Sequence, residues 1–87
     1  MESLVVKIIG SNMPPMHAER YFDEEANVEF IEIKASDISN LVFRNLEPGS
    51  SLELHSNDKS LGFFTLFTTR DDLILLAKGE LENLLKR

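Results

Sequence analysis

The spacing of apolar positions changes several times along the chain, and each change marks an element. Leu4 to Ile9, Leu-Val-Val-Lys-Ile-Ile, is rich in β-branched residues and apolar on both sides except at Lys7. That pattern predicts a strand inside a sheet or at a subunit contact. Val28 to Lys34 predicts a second strand. Val28 and Phe30 fall on one side and Ile31 and Ile33 on the other, so a bulge or burial on both faces is needed there. Ile38, Leu41, Val42 and Leu46 recur at helical spacing behind Ser36, an N-cap type, and stop before Pro48-Gly49. They predict a helix ending near Leu46, with a strand over Asn40–Leu46 as the competing reading. Leu52 and Leu54 then alternate with Glu53 and His55, the period of a strand with one buried face.

Ser56-Asn57-Asp58-Lys59-Ser60 has turn composition. Leu61–Thr69 carries three phenylalanines and three threonines. Propensity favours a strand there, hairpin-paired with Leu52–His55, while Ser60 could instead cap a short helix. From Thr69 a capping-box-like start and apolar residues at Leu73, Ile74, Ala77, Leu81, Leu84 and Leu85 predict a helix running through Gly79. A glycine in mid-helix costs about 1 kcal/mol. This keeps open a strand over Leu73–Lys78, a turn at Gly79 and a short last element. Together these elements predict an α+β domain, a small two-layer α/β sandwich with a mixed sheet of about four strands and two helices on one face.

Composition narrows the function. The 87 residues make one domain with 43% hydrophobic residues and a net charge of −6. An acidic chain without a basic run does not favour nucleic acid or an anionic membrane surface as a partner. No cysteine is present, which excludes a disulfide framework, a thiolate metal site and a thiol nucleophile. A cysteine-free chain with no apolar stretch of signal or membrane length is expected in the cytoplasm.

Two stretches stand out as candidate binding residues. Met13-Pro14-Pro15-Met16-His17 is held extended by its prolines. Its methionines suit adaptable contacts to a partner, or fold back onto the core. Ala18–Ala26 is acidic, with Glu19, Asp23, Glu24 and Glu25 interrupted by Arg20, Tyr21 and Phe22, and reads as a helical turn or a loop. The bunched acids lack the glycine and alternation of a calcium loop. They make either a solvated surface or a recognition face for a basic partner. The partner-binding candidates are therefore Met13, Met16, His17, Glu19, Tyr21, Phe22, Asp23, Glu24 and Glu25. A ligand pocket beneath Phe63, Phe64 and Phe67 is a third reading, against their simply forming the core.

Phe43-Arg44-Asn45-Leu46-Glu47-Pro48-Gly49-Ser50-Ser51-Leu52-Glu53-Leu54, followed by Asn57-Asp58, resembles the first helix and second strand of the TusA/SirA-like family of small sulfur-carrier domains. The resemblance implies a two-layer α/β sandwich with Ser60–Thr68 as its second helix and Leu73–Lys78 as a strand. The family's working cysteine, in a Cys-Pro-x-Pro motif, has no counterpart in Ile33-Lys34-Ala35-Ser36, so sulfur transfer is not implied. His17-Ala18 is also similar to the phosphocarrier HPr context, with Glu19-Arg20 replacing Arg-Pro. The only side-chain bases of the histidine type are His17 and His55, and no phosphate-cradling glycine loop occurs. The chain is thus expected to be a non-enzymatic protein-interaction domain without cofactor or metal. It could be a cysteine-less TusA/SirA-like scaffold, a homodimer through its apolar strands, or an acidic inhibitor or immunity-type protein capping a basic site.

Overall fold

The computed structural model describes residues 1–34, 47–70 (backbone only at 70) and 73–79. Six strands are formed: β1 Glu2–Ile8, β2 Met16–Asp23, β3 Val28–Lys34, β4 Ser51–Ser56, β5 Lys59–Arg70 and β6 Leu73–Gly79. They close into a barrel in the order β1-β2-β3-β6-β5-β4, with every neighbouring pair antiparallel. The expected α/β sandwich is therefore overturned. Among the described residues there is no helix, and the sheet is not mixed.

The interior is filled from all six strands and the β1–β2 loop. Val6, Ile8, Met13, Met16, Ala18, Ile31, Ile33, Leu54, Phe64, Leu66, Ile74 and Leu76 form one buried cluster. At about 25 cal/mol per Å² of buried apolar surface, such a cluster dominates the stability of a domain this small. A second cluster lies on the outer side of the same strands, where Val28, Phe30 and Ala77 are buried with Ala26. Tyr21 stacks on Phe30 at a centroid distance of 5.3 Å, and Phe67 meets Phe30 edge-on at 6.5 Å. Burial on both faces, not a bulge, resolves the broken alternation of β3, because its ladders to β2 and β6 run without a register shift.

Two-sided burial also corrects the helical reading from Thr69 onward. Ile74 and Leu76 point inward, while Leu75 and Ala77 pack on the outer cluster. With both faces apolar the period of two is masked, and Leu73, Ile74 and Ala77 imitate a helical stripe. The strand ends at Gly79, whose φ of +128° is accessible to glycine. Residues 80–87 and the helix expected over Ser36–Leu46 lie outside the described residues. Lys59–Arg70 is a strand, as propensity favours, and not the helix implied by the TusA/SirA-like resemblance.

Local chemistry sets the turns. Asn57 and Asp58 both take positive φ, 52° and 63°, and close β4–β5 in two residues between Ser56 and Lys59, as a type I′ turn requires. In the β2–β3 hairpin Asp23 Oδ1 accepts from the Ala26 amide at 3.2 Å, and Asn27 turns the chain with a φ of 57°. The seams differ in length. The β3–β6 ladder spans seven residue pairs, whereas β1 meets β4 at only Lys7–His55 and Ile8–Leu54, extended by Ile9 N–H donating to Glu53 O at 3.0 Å.

Candidate functional site

β2 carries most of the sequence-derived candidates, and its pleat divides them. The segment Ala18–Ala26, expected as a helical turn or loop, is strand up to Asp23. Met16 and Ala18 point into the barrel, so His17, Glu19 and Tyr21 share the outer face. Met13 and Met16 are 8% and 7% exposed and belong to the core, which leaves them no surface to offer a partner. Ser11 holds their loop, its hydroxyl donating to Ile8 O at 3.0 Å and accepting from the Met13 amide at 3.3 Å. Glu24 and Glu25 are exposed in the β2–β3 hairpin. Phe22 is 55% exposed and lies on the opposite side of β2 from Tyr21. It lines a cavity with Arg20 and Glu29. Arg20 is ion-paired with Glu29 and lies 3.7 Å from Glu2.

The outer face of β1–β2–β3 forms a pocket of about 170 Å³ lined by Ser3, His17, Ala18, Glu19, Glu32, Lys34 and Leu73. Register builds it. Ser3 stands opposite Glu19, and Glu19 stands opposite Glu32. Two carboxylates are therefore cross-strand neighbours on one face, an arrangement that costs stability when nothing neutralises it. The Tyr21 hydroxyl donates to Glu32 Oε1 at 3.3 Å. Among the described residues no Lys, Arg or His nitrogen lies within 4 Å of either carboxylate. The Tyr21 phenol is held above its ordinary range, first by burial and then by the charge and hydrogen bond of Glu32 and by the charge of Asp23. Among the described residues no group of three or more acids and histidines is placed to hold a metal ion.

Of the nine expected partner-binding residues, only His17 and Glu19 reach this pocket, with Tyr21 acting through Glu32. Ser3, Glu32, Lys34 and Leu73 escape a reading confined to one stretch, because they come from β1, β3 and β6. The signal that could have found Glu32 is the alternation Met16-His17-Ala18-Glu19, which sets β2 against β3. His17 lies within a strand and not in a loop after β1, unlike the phosphocarrier context it resembles.

At the β4–β5 hairpin Ser60 Oγ donates to Glu53 Oε2 at 2.9 Å, and His55 Nε2 lies 3.1 Å from the same oxygen. Serine, histidine and acid are thus adjacent, but the carboxylate sits in the middle. The hydroxyl proton goes to the acid and not to imidazole, which is not the relay of a nucleophilic hydrolase. The three phenylalanines do not converge on a pocket. Phe64 is fully buried, while Phe63 and Phe67 are 64% and 40% exposed on the outer side.

No family of proteins, no curated protein and no solved structure matches this chain.

Proposed function

We propose that this barrel is a non-catalytic protein-interaction domain that receives a basic side chain of a partner in the Glu19/Glu32 pocket. The observation that carries the reading is the opposed carboxylate pair, which among the described residues has no Lys, Arg or His nitrogen within 4 Å although Lys34 lines the same pocket. A guanidinium is planar and donates to two carboxylates at once, so an arginine fits the gap between facing strands better than a compact ammonium. Ser3 adds a hydroxyl at the rim and Leu73 an apolar wall for the side-chain stem. The net charge of −6 draws a cationic partner from a distance and sets its approach rate more than its final affinity. An acidic inhibitor that caps a basic site is the most specific form of this reading.

The test is binding of a fluorescent tetra-arginine peptide, followed by anisotropy at about 50 mM and about 200 mM salt, where the screening length falls below about 10 Å. The wild-type protein should bind, and affinity should fall by about tenfold or more in Glu19→Gln/Glu32→Gln. Glu24→Gln/Glu25→Gln, on the hairpin, should change it by less than about threefold, as screened surface charges do. Equal loss in both variants would leave only general acidity, and the pocket would have no special role.

A further inference from the structure

The Glu19/Glu32 pocket does not end at its rim. Val5 stands opposite His17 in the β1–β2 ladder, and both lie on the outer face, because Val6, Met16 and Ala18 turn inward. His17 lines the pocket. Val5 lines a second cavity, a groove of about 300 Å³ whose walls include Lys7, Ile9, Pro15, His55 and Asp58. Lys7 stands opposite His55 across the β1–β4 seam. Ser3, Val5, Lys7 and Ile9 thus form one row along the outside of β1, and the row leads from the carboxylate pair into the groove. Val5 and Ile9 are each 42% exposed there, whereas Val6 and Ile8 are buried. A charged pocket and an apolar groove therefore share one continuous outer face.

We infer that the partner is recognised by two side chains, a basic one in the Glu19/Glu32 pocket and an aliphatic one seated on Val5, Ile9 and Pro15 in the groove. This inference rests on the pocket reading above and adds to it a second anchor of a different chemistry. Charge at an exposed carboxylate pair contributes little by itself and is screened by salt, while apolar contact beside it is not. The register sets the spacing of the two anchors. Lys7, at the middle of the groove, lies four residues along β1 from Ser3, about 13 Å, and the gap between Glu19 and Glu32 lies about one and a half strand spacings, about 7 Å, from β1 on the β2 side. The two centres are thus about 15 Å apart, the reach of about four to five residues of extended chain. A spacing of four puts both side chains on one face of an extended segment. The net charge of −6 favours such a basic segment over a second copy of the chain.

The test uses the fluorescent peptides Arg-Ser-Ser-Ser-Leu and Leu-Ser-Ser-Ser-Arg, with Arg-Leu-Ser-Ser-Ser and Arg-Ser-Ser-Ser-Ser as references. Anisotropy is followed as the protein is raised to about 1 mM, the range of weak pairings. At least one of the two spaced peptides should bind about fivefold or more tightly than both references, the gain expected from partly burying one aliphatic side chain. The gain should persist at about 200 mM salt. Val5→Thr/Ile9→Thr keeps the β-branched shape and should reduce the gain to less than about twofold, while tetra-arginine binds as to wild type. Phe63→Ser, at an exposed apolar residue of β5 outside the groove, should keep the gain. Spaced peptides no tighter than the references, a gain that survives Val5→Thr/Ile9→Thr, or a gain that vanishes in Phe63→Ser would overturn the second anchor. The pocket reading would then stand alone if tetra-arginine still loses affinity in Glu19→Gln/Glu32→Gln. Tetra-arginine binding that ignores Glu19→Gln/Glu32→Gln would instead overturn the pocket reading and this inference with it.

Discussion

Gly79→Ala separates the barrel from the helix that the C-terminal sequence suggests, because the two give opposite signs. In mid-helix, replacing glycine by alanine stabilises by about 1 kcal/mol. Here Gly79 closes β6 opposite Val28 with a φ of +128°, and a Cβ at that position would lie 2.6 Å from the Asn27 carbonyl oxygen and 3.3 Å from Val28 Cα. Backbone in a glycine-only region costs about 1–3 kcal/mol for another residue. The obstructing atoms are main chain of the facing hairpin and cannot swing aside. Strain and contact together should cost about 2–4 kcal/mol, within the range of known backbone and packing lesions. For a domain of this size that lowers the Tm by about 8–32 °C, at about 4–8 °C per kcal/mol. Gly49→Ala is the comparator, since φ is +97° there but no atom lies within 4 Å of the added carbon. It should cost only about 1–2 kcal/mol. The assay is urea unfolding followed by far-ultraviolet circular dichroism, with the slope compared among variants to keep the comparison two-state. A Gly79→Ala protein as stable as wild type, or more so, would refute the closure of β6 on the β2–β3 hairpin.

Three further outcomes follow from the packing, the turns and the hairpin charges. Phe64→Ala should cost about 3–5 kcal/mol in urea unfolding, whereas Phe63→Ala, on the outer surface, should stay within about 0.5 kcal/mol. Asp58→Gly should raise stability by about 0.5 kcal/mol by relieving a positive φ in the type I′ turn; a loss of similar size would argue against that turn. The Glu53 carboxyl is held below its ordinary value by the hydrogen bond with His55 and then by that from Ser60. A lowered acid contributes stability that is present above its unfolded pKa and lost as pH falls through its folded one. Unfolding midpoints measured on the acid side of the usual glutamate range should therefore fall less steeply with pH in Glu53→Gln than in wild type, and equal slopes would contradict the assignment.

Much of the fold is legible strand by strand, but its class is not. β1, β3, the β4–β5 hairpin and its turn follow from β-branched content, alternation and Asn-Asp chemistry that act over a few residues. β2 is obscured because its outer face carries His17, Glu19 and Tyr21 amid acids, so charge hides the alternation of Met16 and Ala18. β6 is obscured for the opposite reason, since Leu75 and Ala77 meet a second apolar cluster outside the barrel. Closure depends on β1 meeting β4 across more than forty residues of sequence, at Lys7–His55 and Ile8–Leu54, and no local pattern encodes it. The site is half legible on the same grounds. Glu19 stands in a visible acidic stretch, but Glu32 joins it only through the β2–β3 register, and Met13 and Met16 leave the candidate surface because the barrel interior needs them.

Tyr21 is the only tyrosine of the chain, and it reports directly on the Glu32 carboxylate. Its phenol can be titrated by ultraviolet absorbance without interference from tryptophan, which is absent. The folded-state pKa is raised, so the stability tied to the neutral phenol is complete below the unfolded value near 10 and is lost as pH rises through the folded one. Glu32→Gln should move the phenol titration down toward that value. The decisive measurement is the same titration with and without saturating tetra-arginine peptide. A guanidinium seated between Glu19 and Glu32 cancels the negative charge that opposes ionisation, and the Tyr21 titration should shift to lower pH, with no shift in Glu19→Gln/Glu32→Gln. An unmoved Tyr21 titration in the presence of bound peptide would contradict a receptor for a basic side chain at this pocket.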